Sequence, residues 1–342
     1  MGAVRPRAIP DQVIVLPYFG YGTRRRLKLC GRVLEDEGFR PTADADSRWR
    51  NLIRFWKRLE SDEVPGARVR AGKTEVLTDR EGYFHLELKG SFAKGWNRIP
   101  LQLADKRISA TAQALVPDPK AKFGVISDID DTVVYSNVAR KMRMLLIAAF
   151  NNARTRKPFK GVAAFYRALH AGANPVFYVS KSPWNLYAPI VEYLEVQGLP
   201  RGPVLLRDFG WKRPKNHKTT VIEEILRTYP KLPFVLSGDS GEQDPEIYAD
   251  IVRRFPKRIR AIYIRSVNTK RISAVERLAA EVSRTGTQLI LAPDAETAAA
   301  HAAAEGLIQA SDLRAVRSER LSDDCADSKR PSKPAASKGA LK

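Results

Sequence analysis

The run Ser127-Asp128-Ile129-Asp130-Asp131-Thr132 places three carboxylates within four positions. Charges so close repel, and a stable fold must relieve them with a cation or with protons. An all-oxygen set suits Mg²⁺, which keeps some of its waters and shares a substrate's phosphate oxygens. A second acidic group stands at Gly238-Asp239-Ser240-Gly241-Glu242-Gln243-Asp244. Ser180, in Ser180-Lys181-Ser182-Pro183, offers a hydroxyl and neighbouring amides that suit a phosphate near a helix N-terminus. Lys218 opens a helical pattern, where a cation opposes the helix dipole and a bound anion would account for it. Each also has a plainer reading. The first acidic run could be an Asx turn, and Asp244, before Pro245, an N-cap. Ser182 could cap the Trp184 helix, and Lys218 could be a solvated lysine in a basic stretch. Asp208 and Arg265, also at strand ends, are as readily structural as functional.

These residues share a place in the pattern of elements. From residue 123 onward, short apolar runs alternate with amphipathic stretches. Strands are expected at Phe123 to Ser127, Pro175 to Ser180, Pro203 to Leu206, Pro233 to Ser237, Ile259 to Ile264 and Gln288 to Ala292. Helices are expected at Trp184 to Val196, Thr219 to Thr228, Pro245 to Phe255 and Ser273 to Val282. This alternation predicts an α/β domain over 120–310, with a mostly parallel, Rossmann-like sheet covered on both faces. Ligands of such sheets bind beyond the carboxyl ends of the strands, where Asp128, Ser180 and Asp239 stand.

Residues 12–118 follow a different period. In Thr78-Asp79-Arg80-Glu81-Gly82-Tyr83-Phe84-His85-Leu86-Glu87-Leu88 a polar turn leads into alternating Phe84, Leu86 and Leu88, the pattern of a half-buried strand. With extended pieces at Val13 to Leu16, Leu27 to Leu34, Val69, Glu75 to Leu77 and Ile108 to Leu115, this predicts an N-terminal β-sandwich of about seven strands. Trp49 to Leu59 has apolar residues at helical spacing, and a helix packed on the sandwich is expected there. The boundary falls near Val116-Pro117-Asp118-Pro119-Lys120. Residues 318–342, poor in apolar period, are expected to form a disordered basic tail.

The set Asp128-x-Asp130-x-Thr132, Ser180, Lys218 and Gly238-Asp239 followed by Asp244 resembles the four motifs of the haloacid dehalogenase superfamily of phosphotransferases. The stretches DIDDT, VSKSPWNLY, HKTTVIEEIL and FVLSGDSGEQDPEIYADI are similar to one branch, the actin-patch-protein type phosphatidate phosphatases and their bacterial relatives. The resemblance covers about residues 120–270. It implies that Asp128 is a nucleophile forming an aspartyl-phosphate and that Asp130 is the acid and base. Mg²⁺ would be held by Asp128, the Asp130 carbonyl and Asp239, with Asp244 supporting them. Ser180 and Lys218 would grip the phosphoryl oxygens, and Thr132 would brace the loop.

Composition narrows the partners. Apolar residues make up 44% and charged residues 28% of the 342, as in globular proteins. Cys30 and Cys325 are too few for a disulfide framework. No apolar run approaches the ~20 residues of a transmembrane helix, nor is a secretory signal evident, so a cytoplasmic protein is expected. The net charge of +21 is spread over both folded regions and attracts polyanions. Arg140 to Phe150 and Arg154 to Lys160 combine cations with an apolar run, as an interfacial helix on anionic lipid or an ordinary core helix would. The expected substrate is therefore a phosphate monoester, foremost phosphatidate or a related lipid phosphate met at a membrane surface. The alternatives are a soluble or nucleic-acid phosphate ester and a non-enzymatic phosphoacceptor module. No nucleic-acid-binding motif and no protein partner is identifiable.

Overall fold

The computed structural model describes residues 12–35, 63–104, 108–129, 161–207 and 216–328. The expected Trp49 to Leu59 helix and the basic segment from Arg140 to Lys160 lie outside them.

The N-terminal domain is an eight-stranded, mainly antiparallel sheet. Its strands are β1 (Val13–Pro17), β2 (Gly20–Thr23), β3 (Arg26–Glu35), β4 (Arg68–Ala71), β5 (Thr74–Leu77), β6 (Tyr83–Lys89), β7 (Gly95–Leu103) and β8 (Ile108–Val116). Both β1 and β2 pair with β3, against Gly31–Glu35 and Arg26–Lys28, so they run along one side of β3 as a strand interrupted at Tyr18 and Phe19. β6 pairs with β3, and β8, β7, β4 and β5 follow beyond β2. In β6, Phe84, Leu86 and Leu88 are buried while His85, Glu87 and Lys89 are exposed, as the alternation predicts. Leu27, Leu29, Val33, Val69, Phe84, Leu101 and Ala112 fill the core. β2 and β7 were not expected as strands. β2 holds two glycines, and a Cβ at Gly20 would lie 2.3 Å from the Lys28 carbonyl oxygen, so the close approach of β3 excludes a side chain. β7 carries Pro100, which speaks against a strand interior.

The second domain is a six-stranded parallel sheet in the order β11-β10-β9-β12-β13-β14. Its strands are β9 (Gly124–Asp128), β10 (Val176–Pro183), β11 (Val204–Arg207), β12 (Phe234–Asp239), β13 (Ile259–Arg265) and β14 (Gln288–Ala292). The helices are α1 (Val162–His170), α2 (Tyr187–Val196), α3 (His217–Thr228), α4 (Asp244–Arg254), α5 (Ile272–Ser283), α6 (Ala295–Ala304) and α7 (Ala310–Ser328). Successive strand residues face opposite cores. Val125, Tyr178, Val235 and Tyr263 pack with α1, α2, α6 and α7. Ile126, Phe177, Leu236 and Ile262 pack with α3, α4 and α5. Burial on both faces explains why these strands read as continuous apolar runs. The chain moves outward from β9 to β10 and β11, then returns to the other side of β9 at β12. The crevice for a ligand is therefore between the carboxyl ends of β9 and β12.

The C-terminal expectation needs correcting over 318–328, where α7 runs on as a helix. Beyond its apolar contacts it is tied down by ion pairs, which an apolar period cannot reveal. Val316 is fully buried, Arg317 and Arg320 pair with Glu296 of α6, and Glu319 accepts from the Ala164 amide of α1.

The interruption between β1 and β2 docks the sandwich on the second domain. The Tyr18 ring stacks on Trp184 with centroids 4.9 Å apart and lies 4.2 Å from Tyr187. The Phe19 amide donates to the Tyr187 hydroxyl at 2.6 Å. Tyr21 packs against Phe177 and Tyr229, and its hydroxyl donates to Glu224, as does Lys28. Burial alone would raise the Glu224 carboxyl, but those two hydrogen bonds and the Lys28 charge outweigh it and hold the pKa below the ordinary range. Arg201 lies over the rings of Phe19 and Trp96 and donates to Gln113.

Candidate active site

Four segments meet at the crevice: the ends of β9, β10 and β12 and the start of α3. Asp128 closes β9 with its side chain 2% exposed. Lys218, the second residue of α3, has a side chain 1% exposed, and its ammonium lies 2.8 Å from Asp128 Oδ1 and 2.8 Å from Asp244 Oδ1. It is also 3.2 Å from Glu242 Oε2. A buried lysine against the helix dipole is thus offset by carboxylates converging from β9 and from the loop that follows β12.

That loop is shaped by its own acids. Asp239 Oδ1 accepts from the Gly241 and Glu242 amides, at 2.6 and 3.3 Å, turning the chain back over the strand end. Asp244 begins α4 but caps nothing by its side chain. Its carboxylate, fully buried, faces Lys218 and accepts from the Asp239 amide at 3.4 Å. The N-cap reading of Asp244 is thereby set aside. Gly238 is required by this approach, since a Cβ there would lie 2.4 Å from Asp244 Oδ2. Arg271 fastens the loop from outside, donating to the Ser240 and Glu242 carbonyls and pairing with Glu246.

Asp128, Asp239 and Asp244 each offer an oxygen within 4.8 Å of the others. The donors are all carboxylate oxygens, which fits a hard divalent cation. Lys218 faces Asp128, Asp244 and Glu242, and Lys181 faces Glu242.

Ser180 is fully buried on β10, and its hydroxyl accepts from the Ser182 amide at 2.9 Å. β10 continues past Ser180 to Pro183, and a 3₁₀ turn at Trp184–Leu186 precedes α2. Neither helix start has a side-chain cap, so Ser182 does not cap the Trp184 helix. The turned-back amide of Ser182 replaces that role with a local brace on the Ser180 hydroxyl. Asp130, Thr132 and Asp208 lie outside the described residues. Arg265 closes β13 beside Asp239 and lines the same cavity.

Two features went unread in the sequence. Glu242 lies 2.8 Å from Lys181 and bridges it to Lys218. Burial would raise its carboxyl, yet the Lys218 charge and the Lys181 hydrogen bond hold it below the ordinary value. Its place among the strand-end acids was the available signal. The second is a hydroxyl triad. Tyr166 of α1 shares hydrogen bonds of 2.7 and 2.8 Å with Ser127 and Ser237, the residues opposed across β9 and β12. Ser127 in turn donates to the Asp128 carbonyl at 2.9 Å. Beside this triad a cavity of about 100 Å³ reaches from Asp128 and Asp239 to apolar walls that include Val162, Phe165, Leu194 and Ala298.

Carboxylates at the β9 and β12 ends of a parallel sheet, with a buried lysine between them, thus define the site. Over residues 123–266 the chain matches the family described as phosphatidate phosphatase APP1, catalytic domain, as the motif resemblance implied. It is 35% identical over 218 residues to phosphatidate phosphatase APP1 of Saccharomyces cerevisiae, covering 60% of this chain and 37% of that protein. An uncharacterized protein of Schizosaccharomyces pombe is 29% identical over 210 residues, 56% of this chain and 34% of that one. The chain thus spans little more than a third of the length of the curated relatives it matches. Among solved structures, a HAD family hydrolase from Deinococcus radiodurans R1 with bound phosphate and sodium aligns with TM-score 0.33 and 18% identity, over 56% of this chain and 99% of that one.

Proposed function

We propose that this chain is a Mg²⁺-dependent phosphatase that hydrolyses a phosphate monoester, foremost phosphatidate or a related lipid phosphate. The observation that carries the reading is Lys218, buried at 2.8 Å from both Asp128 and Asp244 at the crevice of a domain matching a phosphatidate phosphatase catalytic family. An ammonium so placed sits against two buried carboxylates and would reach a transferring phosphoryl group there.

In this mechanism a carboxylate oxygen of Asp128 attacks phosphorus and the ester oxygen departs, leaving an aspartyl-phosphate. Asp130 gives its proton to the departing alcohol. It then takes one from the water that attacks phosphorus, which releases inorganic phosphate and restores Asp128. Lys218 and the Ser180 hydroxyl hold phosphoryl oxygens through both steps. Mg²⁺, held by Asp128, the Asp130 carbonyl and Asp239 with Asp244 in support, would neutralise negative charge on the phosphoryl group. On the family resemblance, Thr132 would brace the loop that carries Asp130. The apolar walls beside Asp128 favour an alcohol with hydrocarbon character. Among the described residues no helix is long and apolar enough to cross a membrane. The enzyme would meet lipid peripherally, from the cytoplasmic side.

The test is a substrate panel with and without Mg²⁺: phosphatidate in mixed micelles, soluble phosphate esters, and oligonucleotides phosphorylated at either end. Mg²⁺-dependent release from phosphatidate, abolished in Asp128→Asn, is expected. Turnover retained by Asp128→Asn would overturn the nucleophile assignment, and release from soluble or nucleic-acid esters alone would overturn the lipid assignment.

A further inference from the structure

Lys181 stands one residue beyond Ser180, and its ammonium lies 2.8 Å from Glu242 Oε2. The same oxygen is 3.2 Å from the Lys218 ammonium, which contacts Asp128 at 2.8 Å. One carboxylate oxygen therefore sits between two cations, on a short chain of contacts leading to the attacking carboxylate. A phosphoryl oxygen carries the same charge and accepts from the same donors. Glu242 lies in the loop between Asp239 and Asp244, where its amide is turned toward Asp239 and its carbonyl is held by Arg271. The loop backbone is thus pinned while the long side chain spans the crevice from β12 to β10.

Building on the phosphatase reading above, we propose that Lys181 is a further phosphoryl-binding residue and that Glu242 is a resident anion holding its place. As the phosphate enters, the Glu242 carboxylate leaves the two ammonium groups, and Lys181 and Lys218 close on phosphoryl oxygens in its stead. Two properties of the site follow. An empty crevice keeps its cations paired, which limits the cost of half-burying Lys181 and fully burying Lys218. Anion binding becomes an exchange, so affinity for phosphate reflects the difference between two ion-pair sets. Exchange also favours an anion that can engage both lysines, as the several oxygens of a phosphate can.

The experiment is calorimetric titration of the full chain with inorganic phosphate, which requires no turnover. Glu242→Gln is expected to bind phosphate about tenfold more tightly than the native chain, the low end of what close charge pairs contribute. Lys181→Gln should bind about tenfold more weakly, with Lys181→Arg restoring most of the affinity. In Lys181→Gln with Glu242→Gln, most of the gain should vanish. Glu246→Gln, which removes a nearby exposed charge paired with Arg271, should change affinity less than twofold. Unchanged or weaker binding by Glu242→Gln overturns the proposal. So does a gain that persists in full without Lys181, or an equal gain in Glu246→Gln, either of which indicates net charge alone. Thermal melts of each variant confirm that the compared chains are folded. A chain that shows this exchange but releases phosphate from no ester refutes the phosphatase reading and leaves the exchange standing. Ester turnover with both single variants binding phosphate as the native chain does refutes the exchange alone.

Discussion

Replacing Tyr18 with alanine tests whether the sandwich is an appendage or a working part of the catalytic domain. The Tyr18 ring is only 6% exposed, although it belongs to the break between two strands of the other domain. Truncating a buried aromatic to alanine costs about 3–5 kcal/mol. Stacking on Trp184 and the close approach of Tyr187 place Tyr18 within that range, since each ring pair adds roughly 0.5–1.5 kcal/mol beyond its area. A loss of about 4 kcal/mol is expected, a large part of the ~5–15 kcal/mol that usually separates folded from unfolded chains. Trp184 follows the Ser180 to Pro183 segment directly, so activity should fall as well. Urea unfolding followed by tryptophan fluorescence and by circular dichroism is the assay. The native chain should unfold with coincident probes, and Tyr18→Ala should separate them as the domains uncouple. A double-mutant cycle with Trp184→Ala should return a coupling of about 1 kcal/mol. A Tyr18→Ala chain within ~1 kcal/mol of native stability, or a coupling near zero, would refute the reasoning.

Three further outcomes are expected. Lys218→Met leaves Asp128 and Asp244 buried without their shared cation and should cost about 3–5 kcal/mol, with phosphate release reduced at least ~100-fold; a native melting temperature would contradict this. Tyr166→Phe removes the hydroxyl that ties Ser127 to Ser237 and should lower kcat about tenfold with KM within about twofold, because the spacing of β9 and β12 relaxes while phosphate contacts remain; an unchanged kcat would count against it. Glu224, held below its ordinary pKa by Lys28 and Tyr21 against the opposing effect of burial, contributes stability that is complete above that ordinary value and is lost as acid protonates it. The native chain should therefore lose stability more steeply than Glu224→Gln as the pH falls through and below the ordinary carboxylate range, and parallel profiles in urea unfolding would rule this out.

All six strands of the parallel sheet were visible in the sequence, because strands buried on both faces carry unbroken apolar runs. Asp128, Ser180 and Asp239 stood out because a polar side chain at a strand end breaks such a run abruptly, and Lys218 because a cation at a helix start opposes the dipole. β2 escaped notice because Gly20 and Gly22 contribute no apolar side chains, and the strand forms where β3 and β8 lie against it. The helix continuing to Ser328 escaped for a related reason: Arg317, Glu319 and Arg320 bind partners far away in the chain.

By itself, then, the sequence determined the periodicities and the types of group at the strand ends, both of which depend on neighbours within a few residues. Only the tertiary structure decided which carboxylates face Lys218, that Glu242 spans two lysines, and that Tyr166 joins the two strands flanking the crevice. The same holds for Tyr18, whose place beside the catalytic domain depends on a break in a strand. Those contacts join residues 24 to about 170 positions apart, and their distances follow from how whole elements pack.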